Sequence, residues 1–274
     1  MSVEEFNFYH EYLLNLLNHQ ETLDNEDFVP EVSHFVQLVK QSMEIRKLVI
    51  KETNWYLIVE SFPSIFKKLG QTQNVSSFYI RLLNAVLLYC RIIFCVKSIN
   101  DIDQNTLDHL YDTPKRLISG FTILSNGHFK ERTVERVIET LSMVTQLLPK
   151  YKLGKDIDVS LGLDIDQDVQ TDVTEITQYL MYSIDYLTRN ERDDTMLMIF
   201  FNNIINKNDK FLQYALREND FKDQVLEKYF LVKVLNENVY TGLTNRHKEN
   251  INNEESLNKK ELVSLQLLQK ILTH

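Results

Sequence analysis

Residues 129–148 read FKERTVERVIETLSMVTQLL. Apolar side chains recur in this stretch every three or four positions, which places them on one face of an α-helix. Pro149 follows directly and ends the pattern, because proline has no backbone donor and clashes with the preceding turn. The stretch therefore predicts an amphipathic helix with one buried face. That face consists of Val134, Val137, Ile138, Leu141, Val144 and Leu148.

The same helical spacing continues on both sides of this stretch, from Phe6 to Leu272. The 274 residues include only 6 Gly and 4 Pro, which are too few for the tight turns of a β-sheet protein. We therefore predict an all-α fold. Upstream, the pattern indicates a short helical piece at Thr106–Tyr111 and a separate helix that begins at Pro114. Downstream, α-helical stripes begin at Val173, Met196, Phe211 and Phe221.

Two links between the later helices use the same turn chemistry. Leu187–Asn190 precedes the pair Asp193–Asp194, and Ile205–Asn208 precedes Asp209. Each link has an apolar helix end, an asparagine corner and an aspartate that can cap the next helix. Helices with short corners stack into solenoids, so we predict one helical-repeat domain, 1–274, folded as a right-handed α-solenoid of armadillo-like or HEAT-like hairpins. An irregular helical bundle is the alternative.

The last predicted helix, Glu261–Ile271, is strongly apolar, although the end of a solenoid needs a polar cap. Two explanations stay open. The chain is the N-terminal part of a longer solenoid, or this C-terminal helix associates with another copy of the chain.

One acidic stretch interrupts the helical pattern, and we predict a loop at 150–171. From Asp164 onward, its acidic residues have the spacing of the oxygen ligands in an EF-hand calcium loop. Valine replaces the glycine that such a loop requires, and no helix enters it. Capping of the following helix by Asp172 and Glu175 is the alternative. The candidate calcium ligands are Asp164, Asp166, Asp168, Asp172 and Glu175.

Catalysis and cofactor binding have no recognisable motif in the sequence. The 7 histidines are scattered, and none has a His or Cys partner at metal-ligand spacing. The chain has no P-loop and no dinucleotide-binding fingerprint. Asp193–Asp194 resembles an aspartate-rich magnesium motif, but Leu197 and Met198 stand where a further acid is needed. We predict no catalytic residue, no cofactor and no enzymatic activity.

The net charge and the cysteine content indicate which partners and which cellular compartment to expect. The net charge of -9 disfavours binding to nucleic acid, which depends on basic side chains. Cys90 and Cys95 are the two thiols, and their spacing on a helix points them apart, which favours a reducing compartment. The apolar run Phe78–Val96 contains two arginines and is not expected to span a membrane. We predict a cytoplasmic protein, with the nucleus as the alternative.

Two segments, 76–107 and 178–214, resemble armadillo units: a long helix, a polar corner and the start of the next helix. Among armadillo-like proteins they resemble the family of the spinocerebellar ataxia type ten protein and its fungal relatives. The usual armadillo glycine between the first helices is missing here, so HEAT-like packing stays open. This resemblance implies a non-enzymatic interaction scaffold.

We therefore predict a protein–protein interaction scaffold whose partner is a protein. A compact helical regulatory domain for a small GTPase or a trafficking factor is the first alternative, and an all-helical enzyme is the second. A solenoid binds partners in the groove along its inner helices, where aromatic side chains act as anchors. The candidate exposed groove residues are Tyr79, Tyr89, Tyr179, Tyr182, Asn202 and Asn203.

Overall fold

The computed structural model describes residues 104–124, 131–154, 165–208 and 210–240, together with single helical positions between 4 and 91 and between 266 and 271. Within these described residues, 85% are helical and none lies in a strand, so the all-α prediction is confirmed. The helices are α1 (Gln104–Leu124), α2 (Glu131–Leu147), α3 (Ile165–Arg189), α4 (Thr195–Lys207), α5 (Phe211–Ala215) and a π-helix (Phe221–Tyr240).

The chain divides into two compact units, Met1–Leu148 and Pro149–His274, within the single predicted domain 1–274. The division falls at the proline that ends the α2 pattern. Each unit has its own buried apolar side chains.

In the first unit, α1 packs against α2. All six apolar residues predicted for the buried face of the 129–148 helix are at most 3% exposed, so this prediction is confirmed. Threonines between them are also buried, and their hydroxyls donate to carbonyls of the preceding turn: Thr140 to Arg136 and Thr145 to Leu141, both at 2.7 Å. Internal hydrogen bonds of this kind remove the desolvation cost of a buried hydroxyl.

The predicted helix boundary at Pro114 is wrong, because α1 runs continuously from Gln104 to Leu124 with Pro114 inside it. A proline inside a helix removes one backbone hydrogen bond. Here its neighbours Thr113 and Leu117 are 1% and 0% exposed, so the region is fully packed. Tertiary burial of this face overrides the local cost of the proline.

In the second unit, α3 packs against α5 and against the π-helix, and α5 also packs against α4. The stripe predicted along α3 is confirmed at Val173, Ile176, Leu180 and Leu187, which are at most 4% exposed, whereas its fifth member, Ile184, is half-buried. The predicted apolar start of α5 is also confirmed, since Phe211, Leu212 and Ala215 are buried.

Side chains accept backbone hydrogen bonds in both polar corners of the second unit; the predicted aspartate does so in the first, whereas Asn208 does so in the second, where Asp209 lies outside the described residues. In the first corner, Asp193 Oδ1 accepts hydrogen bonds from the backbone N–H of Thr195 at 3.2 Å and from its hydroxyl at 2.7 Å. In the second, Asn208 Oδ1 accepts from the backbone N–H groups of Lys210 and Phe211, both at 3.0 Å. Each acceptor satisfies donors that a helix start leaves without an internal partner.

The helix that follows α5 winds differently from the prediction. Phe221–Tyr240 is a π-helix, not an α-helix. Its i→i+5 hydrogen bonds place more than four residues in each turn, so nine residues complete about two turns. Phe221 and Phe230 therefore lie on the same side, and both rings contact Phe201, at centroid distances of 5.9 and 6.3 Å.

The interruption predicted at 150–171 is shorter than expected. Helix α3 begins at Ile165, so residues 165–171 are helical. Acidic side chains in a first helical turn interact favourably with the positive end of the helix, which explains why the aspartates there are compatible with helix. Residues 155–164 lie outside the described part of the chain.

Candidate interaction groove

A groove with a volume of about 550 Å³ lies between α3 and the π-helix in the second unit. This size falls in the range of clefts that bind ligands or the anchor side chains of partners. Helix α3 forms one wall of this groove and the π-helix forms the other. The lining residues are Met181, Tyr182, Ile184, Asp185 and Thr188 from α3, and Gln224, Lys228 and Tyr229 from the π-helix.

The α3 wall lies beside the buried stripe of the same helix. Its members recur at positions 181, 184–185 and 188, which repeats one helical face. Leu180 and Leu187 point into the core at 1% and 4% exposure, whereas Met181, Tyr182 and Ile184 are half-buried. The groove wall is therefore the edge of the core, where apolar side chains remain accessible.

One hydrogen bond joins the π-helix wall to a neighbouring helix, and a second lies within the wall itself. Tyr229 donates from its hydroxyl to Asp194 Oδ2 at 2.6 Å, and this buried contact ties the π-helix to the start of α4. Lys228 donates from Nζ to Gln224 Oε1 at 3.1 Å on the exposed side. Because loss of a buried hydrogen bond that leaves its partner unsatisfied costs about 1–3 kcal/mol, the Tyr229–Asp194 bond fixes the position of this ring.

Two opposite charges meet on the α3 side of the groove. Arg189 Nε lies 2.8 Å from Asp185 Oδ1, one helical turn away, and both side chains are more than half exposed. An exposed pair of this kind contributes little to stability. Burial and the nearby Asp185 carboxylate raise the pKa of Tyr182, while Arg189 acts in the opposite direction. Tyr182 therefore keeps its proton at neutral pH and can donate a hydrogen bond to a partner.

The first half of α3 is anchored on two sides. The backbone N–H of Gly154 donates to Asp172 Oδ2 at 2.6 Å, although Asp172 is only 7% exposed. On another side of α3, Glu218 Oε1 accepts hydrogen bonds from the Thr174 hydroxyl and from Gln170 Nε2, the latter at 2.8 Å. These contacts hold α3 in place before it reaches the groove.

The segment before α3 is fastened to the end of α4. The Tyr151 N–H donates to the Lys207 carbonyl at 3.0 Å, and Asn208 Nδ2 donates to the Tyr151 carbonyl at 2.8 Å. Burial strongly raises the pKa of Tyr151, and the carboxylates of Asp172 and Glu175 add to this shift. Tyr151 is therefore a buried neutral phenol and a packing residue.

The candidate calcium ligands do not have the geometry of an EF-hand loop. Asp168, Asp172 and Glu175 lie on the regular helix α3, whereas an EF-hand loop wraps non-helical backbone around the ion. Asp166 is also in α3, and Asp164 lies outside the described residues. In the part of the chain that the structure describes, no three His, Cys, Asp or Glu side chains are grouped to hold a metal ion.

The structure separates the residues predicted to line an exposed groove. Tyr182 lines the groove between α3 and the π-helix. Tyr179 does not, because it is 0% exposed and packs edge-to-face on Phe200 with centroids 5.4 Å apart. Tyr79 and Tyr89 lie outside the described residues.

The two predicted asparagines lie on α4 and do not line this groove. Asn202 is 9% exposed; it donates from Nδ2 to Gln266 Oε1 at 3.3 Å and accepts from Asn206 Nδ2 at 2.8 Å. Asn203 is half-buried. Asn202 is thus engaged with a residue of the C-terminal segment of its own chain, which corrects its assignment to an exposed groove.

Sequence reasoning did not identify the other lining residues of the groove. Met181 lies next to a stripe residue and does not stand out in the sequence, and Ile184 was assigned to the buried stripe, whereas it is half-buried and lines the groove. On the π-helix, Tyr229 was assigned to a buried α-helical stripe, and the polar residues Gln224 and Lys228 were assigned to no stripe. One sequence feature could have indicated the π-helix: apolar residues after Phe221 recur at alternating steps of four and five residues.

Comparison with protein-family models, with curated proteins and with solved structures finds no significant match to this chain. The armadillo-like assignment and the resemblance to the ataxia family therefore stay predictions. Among the described helices, none combines the length and the apolar character needed to cross a membrane.

Proposed function

We propose that this protein is a non-catalytic interaction module that binds a segment of a partner protein in the groove between α3 and the π-helix. The observation that supports this proposal is the groove itself, with its accessible apolar wall and its fixed tyrosine. Preorganised aromatic side chains are favoured anchors at interfaces, because little conformational entropy is lost when they bind.

The chemistry of the groove favours an amphipathic segment as the partner. Met181 and Ile184 offer apolar contact to one inserted side chain, and Tyr182 offers a hydroxyl beside it. Asp185 and Lys228 place one charge of each sign in the lining, which suits a partner with polar residues around an apolar anchor.

The proposal includes the solenoid arrangement of armadillo or HEAT type. It is supported by the two similar corners, in which Asp193 and Asn208 accept backbone hydrogen bonds from the residue two positions later. The cytoplasmic location belongs to the same proposal, as does a second interaction surface at the C-terminal helix for another copy of the chain.

The test compares partner capture by two variants of the whole chain. Tyr182→Asp places a charge in the groove, whereas Gln178→Asp places the same charge on an exposed position of α3 outside the lining. Each is used as bait for affinity purification with quantitative mass spectrometry, beside the unmodified protein.

We expect a specific set of proteins to be retained by Gln178→Asp and reduced at least tenfold by Tyr182→Asp. Thermal unfolding of both variants checks that the second unit remains folded. Equal capture by both variants would show that the groove is not the binding surface.

A further inference from the structure

The π-helical segment carries two apolar stripes in one sequence. At steps of four, five, four and five residues, the pattern matches the winding of a π-helix. At steps of four, seven, three and four residues, apolar side chains also follow an α-helical face, although Lys228 lies on that face within the seven-residue step. Both stripes share Phe221, Val225 and Val239. The π stripe adds Phe230 and Val234, and the α stripe adds Val232 and Leu235.

Contacts of the described residues explain why the π winding is the one present. Phe230 is 1% exposed and Phe221 is 0% exposed, and both rings contact Phe201. In an α-helix, nine residues make about two and a half turns, so Phe230 would point away from Phe221. The α winding therefore cannot keep both ring contacts, and the tertiary contacts with Phe201 select the π winding.

A π-helix of this length is unusual, since i→i+5 bonding occurs mostly as single turns and often at functional sites. The segment thus adopts a rare winding although its sequence also suits the common one. That combination is expected of a segment whose two conformations are close in free energy.

The winding also determines which side chains face the groove. Gln224, Lys228 and Tyr229 line it in the π-helix. In an α-helix, seven residues make about two turns, so Lys228 would move to the side of Phe221 and leave this wall. A change of winding would therefore change which side chains form the π-helix wall of the groove.

We propose that Phe221–Tyr240 is a two-state element that exchanges between π and α winding and thereby sets the shape of the groove. A partner that contacts Lys228 and Tyr229 as they now lie stabilises the π state, because a ligand shifts an equilibrium toward the state it binds better. This last consequence rests on the proposed function, whereas the two-state winding does not.

The test exchanges two residues and leaves composition and charge unchanged. In the double variant Lys228→Phe/Phe230→Lys, the aromatic ring moves to the α stripe, seven residues after Phe221. The same variant places a lysine at the position that is 1% exposed against Phe201 in the π-helix. NMR couplings across hydrogen bonds identify the carbonyl that accepts from each backbone N–H, and so distinguish i→i+5 from i→i+4 bonding directly.

We expect i→i+5 couplings in the unmodified protein and i→i+4 couplings in the double variant, with the other helices unchanged. The matched variant Val232→Glu disrupts only the α stripe and should keep the i→i+5 couplings. If the double variant keeps the i→i+5 pattern, or loses both patterns because the segment unfolds, the proposal is overturned.

A second measurement uses the unmodified protein and does not depend on any variant. Relaxation dispersion should detect exchange on the microsecond-to-millisecond timescale, which is typical of helix register shifts, within 221–240. Val232→Glu should reduce this exchange, and its absence from the unmodified protein would count against two states. Neither measurement uses a partner. The two-state proposal can therefore hold even if the partner-capture experiment fails, and the two failures can be told apart.

Discussion

Replacement of Phe201 by alanine should destabilise the second unit more than any single change to its surface. Phe201 is 5% exposed, and its ring contacts those of Phe211, Phe221 and Phe230 at centroid distances of 6.4, 5.9 and 6.3 Å. These three rings come from α5 and the π-helix, so Phe201 on α4 joins three elements. Truncation at this position opens a cavity that no single neighbour can fill.

The expected magnitude follows from these contacts. A buried Phe→Ala substitution costs about 3–5 kcal/mol, through lost transfer free energy and the cavity left behind. Each aromatic pair adds about 0.5–1.5 kcal/mol beyond its buried area, so the three pairs place Phe201→Ala near the upper end, at about 4–5 kcal/mol. Phe201→Leu keeps most of the volume and loses the ring contacts, and we expect it to cost about 2 kcal/mol.

Urea denaturation monitored by far-UV circular dichroism gives the free energy of unfolding, and amide hydrogen exchange of α4 and α5 assigns the loss to the second unit. Phe8→Ala is the matched control, because Phe8 is 61% exposed and its removal should change stability by less than about 0.5 kcal/mol. A loss below about 1 kcal/mol for Phe201→Ala would refute the assignment of this ring to the centre of the core.

Three further predictions address the segment before α3, the groove and the buried phenol. Gly154 has φ +74, and an added Cβ would lie 3.1 Å from Val169 Cγ2, so Gly154→Ala should cost at least about 1–2 kcal/mol of unfolding free energy in urea. Tyr229→Phe removes the donor to Asp194 Oδ2 and should cost about 1–3 kcal/mol, whereas unchanged thermal stability would contradict a structural role for this bond. Burial raises the pKa of Tyr151 above its usual value near 10, so the folded state holds this proton more tightly than the unfolded state. Stability from this group is therefore fully present below about pH 10 and lost as pH rises further, and Tyr151→Phe should flatten the alkaline loss in pH-dependent unfolding.

Local periodicity predicted some elements of this protein fully. All six residues chosen for the buried face of the 129–148 helix are buried, since α-helical spacing alone places them on one side. The polar corners at Asn190 and Asn208 were also predictable, because short polar side chains bond to nearby backbone wherever a helix ends.

Other features depended on neighbours that are distant in sequence. Tyr179 and Tyr182 are three residues apart on α3, yet the first is 0% exposed and the second lines the groove. Both fit the helical pattern, and the packing of Phe200 from α4 against Tyr179 decides which of them is buried. The interior proline of α1 is tolerated for a similar reason, since its surroundings are packed.

The sequence by itself determined that this protein is helical and where several of its buried faces lie, because both properties follow from spacing within one segment. The winding of Phe221–Tyr240 was decided by tertiary structure, since apolar residues at both α-helical and π-helical spacing are present in its sequence. The contacts of Phe221 and Phe230 with Phe201 can be made together only when nine residues complete about two turns. The shape of the groove follows from that choice.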